Sequence, residues 1–318
     1  MNLMINDQQQ EFHHLAHTLV NEMDKVIKDK LLFLRFLVLS FLARGHVLVE
    51  DVPGVGKTTA IKTLARLIKD ASYGRIQCTP DLLPYDVTGV EIYDAQSTQF
   101  HFSKGPLFHD IVLVDEINRA TPKTQSALLE AMAERQVTVS SKSYDLPELF
   151  WVAATQNPLE QNSTYPLPAA ELDRFLIKLS PGYPEFETEC QITGEDPGTH
   201  LLPKLEAAVN KQTLLRAQQC IDQVFCDEKH IKLAVRIASL TRKDPAITMG
   251  VSPRGPIGLL KLAKAHALFS NREFVTDEDI IPLVIPVYQH RIIAAEAHLD
   301  TQGFLQQAIK SACEEFYQ

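Results

Sequence analysis

The sequence is short of most features that would take it outside the ordinary globular class. Its five cysteines, Cys78, Cys190, Cys220, Cys226 and Cys313, include no C-x-x-C pair, so neither a zinc knuckle nor a disulfide framework is indicated. Basic residues are in deficit: 31 Lys and Arg stand against 40 Asp and Glu, a formal net charge of −9. That balance argues against broad binding to nucleic acid, which needs a positive footprint. Long apolar runs are missing too. The richest, Leu31 to Leu42, is interrupted by Arg35 and is too short to span a bilayer. The N-terminus MNLMINDQQQEFHH has no basic-then-apolar targeting pattern, so no transmembrane segment and a cytoplasmic location are expected. No internal repeat or low-complexity tract is present.

What remains is an ordinary composition, 45% hydrophobic and 22% charged over 318 residues, enough for two domains at roughly 150 residues each. The stretch GHVLVEDVPGVGKTTAIKTLARLIKD, Gly45 to Asp70, organises the rest. Val47 to Val49 reads as a buried strand. It breaks into the turn Asp51-Val52-Pro53-Gly54-Val55-Gly56 and restarts as a helix, with Ile61, Leu64, Ala65 and Ile68 on one face. Strand, glycine-bearing loop ending Gly-Lys-Thr, and helix together make a phosphate-binding loop, formed by Asp51 through Gly56 with Lys57, Thr58 and Thr59. Gly54 and Gly56 let the backbone curl so that N–H groups converge on an anion. Lys57 would reach the β- and γ-phosphates, and Thr58 would offer its hydroxyl to Mg²⁺. Asp51 replaces the first glycine of the strict pattern. Alone, the loop indicates only a bound triphosphate.

Ile111-Val112-Leu113-Val114-Asp115-Glu116 supplies the second half of the chemistry. Four apolar residues make a buried parallel strand, and ligands of open α/β sheets bind at the carboxyl ends of strands. Asp115 would hold Mg²⁺, and Glu116 would activate water as general base. A further buried strand, Phe150 to Thr155, ends in Gln156-Asn157-Pro158. Asn157 could place its amide against the γ-phosphate or the attacking water, or simply form the turn before proline. Arg254, at the start of a later helix, could fold over the nucleotide or face water; spacing does not choose between them.

Around these motifs the chain reads as an α/β fold: a three-layer αβα phosphate-loop domain with inserted β-hairpins, then an all-α lid. Residues 8–44 form two helices, and His13, His14 and His17 lie at helical spacing, where a solvated face outweighs a metal site. Gly74 to Thr79 is a strand, and a short helix is expected from Leu82. Alternating runs around polar turns predict hairpins at 90–103 and 136–146. Pro181-Gly182-Tyr183-Pro184 is the best boundary, giving a nucleotide-binding domain over 1–184 and a helical lid over 185–318. Beyond it the pattern is helical only.

The ordered motifs HVLVEDVPGVGKT, RIQCTPDLLPYDVTG, FSKGPLFHDIVLVDEINRATPKTQSALLEAMAERQVT, ATQNP, YPLPAAELDRF and SPRGPIGLLKLAKAHAL resemble the AAA+ ATPases, and among them the MoxR family, from about residue 40 to about 295. The resemblance implies roles for Asn157 as sensor 1, Arg254 as the sensor-2 arginine and Arg174 as an arginine finger on a neighbouring subunit's nucleotide. A finger in trans implies a ring, in this family usually a hexamer. ATP and Mg²⁺ are the implied cofactors, ATP hydrolysis the implied activity, and chaperone-like remodelling of protein complexes the implied role, with a von Willebrand factor A domain protein as partner. Arg119 is a weaker interface candidate, and the bland reading of Arg174 is an ion pair with Asp173. Two stretches depart from the family: Ile27-Lys28-Asp29-Lys30 replaces the usual Val-Gly-Gln near the adenine, leaving backbone contacts near Val26 and Ile27, and Ala169 and Glu171 replace the usual Glu and Gln. The competing readings are a nucleic-acid motor, against which the acidic charge argues, and a nucleotide-gated scaffold with little hydrolysis.

Overall fold

The computed structural model describes residues 2–158, 164–296 and 298–317. Two helices, α1 (Asn2–Asp24) and α2 (Leu31–Leu42), lead into β1 (Val47–Glu50), the glycine-bearing loop and α3 (Lys57–Arg66). There follow β2 (Ile68–Lys69), β3 (Tyr73–Gln77), α4 (Pro84–Thr88) and a hairpin of β4 (Gly89–Asp94) and β5 (Gln99–Lys104). Next come β6 (Ile111–Asp115), α5 (Pro122–Glu134) and a second hairpin of β7 (Gln136–Val139) and β8 (Lys142–Asp145). Strand β9 (Trp151–Gln156), α6 (Ala169–Leu172) and β10 (Ile177–Leu179) complete this half. The remainder is α7 (Phe186–Glu195), α8 (Pro197–His200), β11 (Val209–Asn210), α9 (Lys211–Cys220), α10 (Glu228–Lys243), β12 (Ile247–Met249), α11 (Arg254–Phe269), α12 (Asp277–Tyr288), β13 (Ile293–Ala294) and α13 (Thr301–Tyr317).

Five parallel strands form the central sheet in the order β10-β1-β9-β6-β3. Parallel strands covered on both faces read as near-continuous apolar runs, as β1, β6 and β9 do here, and the two faces divide their residues by alternation. Val47, Val49, Ile111, Leu113, Trp151 and Ala153 face a core shared with α1, α2, α3 and the C-terminal helices. Leu48, Val112, Val114, Val152 and Ala154 face a second core with Leu128, Leu129 and Met132 of α5. These are the three layers read from the sequence. The C-terminal helices join the first core through Leu214 and Ala217 of α9 and Leu259, Leu262 and Ala263 of α11, with Phe12 and Leu19 of α1.

Both expected hairpins form, and they pack together: Phe102 stacks on Tyr144 with ring centroids 4.1 Å apart. Helix α5 starts at the expected cap, where the Thr121 hydroxyl accepts from the Thr124 N–H.

Several expectations need adjusting. Helix α3 ends at Arg66, and Ile68 leaves the helical face to pair with Val209 as a two-residue parallel bridge. The short helix starts at Pro84, since proline at the first turn suits helix geometry and the Leu83 N–H is taken by the Asp86 carboxylate at 2.9 Å. The region beyond 184 carries three short strands among its helices. Of the three histidines His14 is exposed, as expected, whereas His13 and His17 are half-buried against α11. Both ring nitrogens meet the Phe269 carbonyl, at 2.8 and 3.1 Å, and the His17 ring stacks on Phe269 at 4.0 Å. Among the described residues no group of three His, Cys, Asp or Glu side chains could hold a metal ion.

Candidate functional site

The site forms along the carboxyl edge of the sheet. Register puts Gln77 opposite Asp115 on the neighbouring strand, and Thr155 and Gln156 opposite Val49 and Glu50. Every functional side chain read from β1, β6 and β9 therefore reaches one rim.

In the phosphate loop Gly54 and Gly56 adopt φ of +87° and +85°, a region costly for any side-chain-bearing residue. Asp51 is not among the positive-φ positions, which is why a glycine is dispensable there. Its carboxylate instead ties the loop to the segment after β10. It accepts from the Val52 N–H at 2.7 Å, and from the Ser180 hydroxyl and the Gly182 N–H at 2.6 Å each. Burial alone would raise its pKa; these hydrogen bonds, with Lys57 nearby, outweigh it and hold the group below the usual carboxylate range. Lys57 donates to the Asp51 carbonyl and, at 3.2 Å, to the Gln156 carbonyl. Partial burial lowers its pKa against the pull of the surrounding acids. The first N–H groups of α3 have no partner within the helix, so the loop presents donors and a positive dipole end to an anion.

Asp115 sits at the centre of a small network. Its Oδ1 accepts from the Thr155 hydroxyl at 2.6 Å, Arg75 donates to Oδ2 at 2.8 Å, and the Thr58 hydroxyl stands 3.4 to 3.5 Å from the two oxygens. One carboxylate and one hydroxyl, both hard oxygen donors, fit Mg²⁺, which keeps several waters and phosphate oxygens of its own. Glu116, directly after the strand, adopts a left-handed φ of +57°. Its N–H donates to Thr155 Oγ1 at 3.0 Å. Its carboxylate accepts from Gln77 at 3.1 Å and Arg119 at 2.9 Å. Asn157 follows β9 and is buried, within the same rim.

A cavity of about 440 Å³ opens beside the loop. It is lined by Val26 and Ile27, by Pro53 to Gly56 and Thr59, by Tyr183 and Pro184, and by Glu189, Ile192, Thr193 and Asp196 to Gly198. Lys28 and Lys30 line it as well, so the altered Ile27-Lys28-Asp29-Lys30 segment borders this cavity together with Val26.

The structure does not gather all candidates into one cavity. Arg174 and Arg254 line a different one, with Asp173 and Arg291, and neither lines the cavity beside the phosphate loop. Asp173 does not pair with Arg174. It accepts from Arg291 at 2.8 Å and from the Ser252 hydroxyl at 2.8 Å, and lies 3.9 Å from Arg254. Nη1 of Arg174 is buried without a hydrogen-bond partner among the described residues. Arg119 is engaged with Glu116.

Sequence reasoning passed over Arg75, Gln77, Thr155 and the α7–α8 segment. The first two had a signal: they alternate toward one face at the carboxyl end of a parallel strand, where ligands bind. The α7–α8 residues had none, because their approach to Thr59 (Gly198 would put a Cβ 3.7 Å from it) depends on how the chain folds back after residue 184.

Known proteins resemble this chain along most of its length. A family model for the ATPase family associated with various cellular activities (AAA) matches residues 46–177, and one for the AAA lid domain matches residues 239–310. An uncharacterised protein of Bacillus subtilis, YeaC, is 45% identical over 285 residues, covering 90% of this chain and 89% of that one. Chaperone MoxR1 of Mycobacterium tuberculosis is 36% identical over 88% of this chain and 76% of its own length, and protein MoxR of Paracoccus denitrificans 33% identical over 83% and 84%. The crystal structure of a candidate ATPase from Cytophaga hutchinsonii superposes with a TM-score of 0.86 at 35% identity, covering 96% of both chains. No helix among the described residues is long and apolar enough to cross a membrane. With relatives of that name and identity aligned along most of its length, the chain belongs to the MoxR family of AAA+ ATPases.

Proposed function

We propose that this chain hydrolyses ATP with Mg²⁺ between subunits of a ring, and that hydrolysis drives chaperone-like remodelling of other proteins. The observation that carries this reading is the separation of Arg174 and Arg254 from the phosphate loop of their own chain. A charge-stabilising arginine can be supplied in trans, and two that do not line their own chain's cavity beside the phosphate loop can serve a neighbour's. In this reading residues 1–184 hold the nucleotide and residues 185–318 act as the lid. The family points to a hexamer, to a cytoplasmic location and to a von Willebrand factor A domain protein as partner. The relative from Mycobacterium tuberculosis bears the name of a chaperone, which supports the remodelling role.

The residues divide the work. The backbone of Asp51 to Gly56 and the side chain of Lys57 cradle phosphates, with Thr59 beside the cavity. Thr58 and Asp115 would hold Mg²⁺, which supplies neutralisation of phosphate charge when bound. Glu116 takes the proton of the attacking water, and Asn157 orients that water. Arg174 and Arg254 stabilise charge on the transferring group of the adjoining subunit, a contribution of about 10³ to 10⁵ for a finger arginine.

Mixing two inactive variants tests this. Glu116→Gln keeps ATP binding and its own arginines but loses the base, whereas Arg174→Ala keeps the base and loses the finger. Each alone is expected to turn over at a few per cent of wild type or less, and the mixture to recover a substantial fraction. No recovery on mixing, with both variants folded and assembled, overturns the assignment of Arg174 in trans. Near-wild-type turnover by Glu116→Gln overturns the base.

A further inference from the structure

We propose that Tyr183 holds the base of the nucleotide by stacking its ring on the purine, and that Asp29 and Lys30 position that ring. The proposal rests on the reading above that the cavity beside the phosphate loop takes ATP, and it names how the other end of the molecule is gripped.

Pro53 to Gly56 account for one end of that cavity of about 440 Å³. Away from the loop its wall includes Val26, Ile27 and Ile192, and a single aromatic residue, Tyr183. Tyr183 is 70% exposed, and among the described residues no other ring packs on it. An exposed tyrosine alone would mean little. What sets this one apart is a backbone fixed on both sides while the ring is left open.

The fixing is done by three side chains. The Asp51 carboxylate accepts from the Ser180 hydroxyl and the Gly182 N–H at 2.6 Å each, with Gly182 at φ +67°. Lys30 Nζ donates to the Tyr183 carbonyl at 2.6 Å. Asp29 Oδ2 accepts from the Glu185 N–H at 3.0 Å. Pro181 and Pro184 stiffen the same stretch further, since proline fixes φ. A ring presented from a backbone already held loses little entropy on binding.

The anchors also set where the ring stands. Asp51 belongs to the phosphate loop, so the stretch carrying Tyr183 is referenced directly to the site of the phosphates. Asp29, at φ +59°, and Lys30 belong to the altered segment after α1. That segment lines the cavity through Ile27, Lys28 and Lys30, and its two charged ends hold the aromatic wall in place. A stacked ring reads the flat face of a base and not its hydrogen-bonding edge, because every base has such a face. Tyr183 therefore contributes equally to adenine and guanine nucleotides.

The test titrates the full chain with ADP, GDP and inorganic pyrophosphate in the presence of Mg²⁺, by calorimetry. Tyr183→Ala is expected to weaken ADP and GDP at least about fivefold, the lower end for loss of a ring stacked on a base. Pyrophosphate, which has no base, is expected to change by less than about twofold. Tyr183→Phe is expected to retain both nucleotides. Tyr183→Trp gives a direct readout, because the chain's single tryptophan, Trp151, is buried. The introduced indole is expected to lose emission on addition of ADP and to keep it on addition of pyrophosphate.

Lys30→Met and Asp29→Ala are each expected to weaken ADP about two- to fivefold, as for one hydrogen bond, and to have no effect once Tyr183→Ala is present. Asp29→Asn keeps an acceptor for the Glu185 N–H and is expected to retain binding. ADP affinity unchanged by Tyr183→Ala, or ADP and pyrophosphate weakened together, overturns the stacking. An undiminished loss from Lys30→Met in the Tyr183→Ala background overturns the positioning role. A wild-type chain that binds no ADP is a different failure: it overturns the nucleotide reading of the cavity, and this proposal with it.

Discussion

Arg75 and Asp115 are joined across adjacent strands at 2.8 Å, so the carboxylate proposed to hold the metal already carries a positive charge from its own chain. The Arg75 side chain is 45% exposed, and a pair this open is worth about 1 kcal/mol or less. In the proposed site its role would be competition, because the guanidinium occupies an Asp115 oxygen that would otherwise be open to a metal. Arg75→Gln is expected to tighten Mg²⁺ binding to the nucleotide-loaded chain by up to about fivefold, the equivalent of that energy. Manganese titration followed by paramagnetic resonance measures it. Weaker metal binding in the variant would mean that Arg75 helps to place Asp115.

The same arginine donates to Gln77 Oε1 at 2.7 Å, and Gln77 in turn donates to Glu116 Oε2 at 3.1 Å. Asp115 and Glu116 are thus linked through two side chains of β3. Gln77 and Arg119 hold Glu116, the proposed base, in one orientation, and an exposed hydrogen bond of this kind contributes about 1 kcal/mol. Gln77→Ala is expected to raise basal turnover about two- to fivefold with little change in KM. A fall in turnover would instead make Gln77 a positioning residue for the active geometry.

How far the site was legible follows from the kind of signal each residue carries. Lys57, Thr58, Asp115 and Glu116 are adjacent in sequence to the elements that place them, so a strand followed by the right residue type was enough. Arg174 and Arg254 are legible as arginines at particular motifs, but their meeting beside Asp173 joins segments 80 residues apart. Only the docking of α11 and α12 against the sheet half brings them together. Ser180 and Gly182 explain Asp51, yet nothing local to Asp51 announces them. Periodicity likewise located α3 but not its end, because Ile68 stops being helical only when Val209 arrives to pair with it.

Arg291 holds that meeting point together. Only 3% of its side chain is exposed. It donates to Asp173 Oδ1 at 2.8 Å, to the Phe175 carbonyl at 2.6 Å, to the Leu176 carbonyl at 3.3 Å and to the Val287 carbonyl. Burial pushes its pKa down and Asp173 opposes that shift. Removing one partner of a buried, hydrogen-bonded pair costs about 3–5 kcal/mol because the other charge and the carbonyls lose their donors. Arg291→Met, which keeps the side chain's bulk, is expected to lower stability toward urea by about 3 kcal/mol. A loss under about 1 kcal/mol would show that Asp173 and the carbonyls find replacement donors.

His46 gives the fold a pH dependence of fixed sign. It is buried between β1 and α5. The Val152 N–H donates to Nδ1 at 2.9 Å, and Nε2, which must then carry the proton, faces the Met132 carbonyl at 3.2 Å. Both backbone partners therefore select the neutral ring. Burial, with Arg135 next in effect, lowers its pKa to about 4 from an ordinary 6.5. A histidine with a depressed folded pKa stabilises above the unfolded value, and that stability is lost as pH falls, because the unfolded chain takes up the proton first. The loss begins near pH 6.5, ends near pH 4 and amounts to about 2 kcal/mol between pH 7.5 and 5. His290, buried and beside Arg291, is lowered in the same direction and adds to the slope. Urea midpoints measured at pH 7.5 and 5 are expected to fall in the wild type, and to fall less in His46→Gln, whose amide can still accept from Val152 but cannot titrate. Equal slopes in the two proteins would remove His46 from the account and leave His290 to carry it.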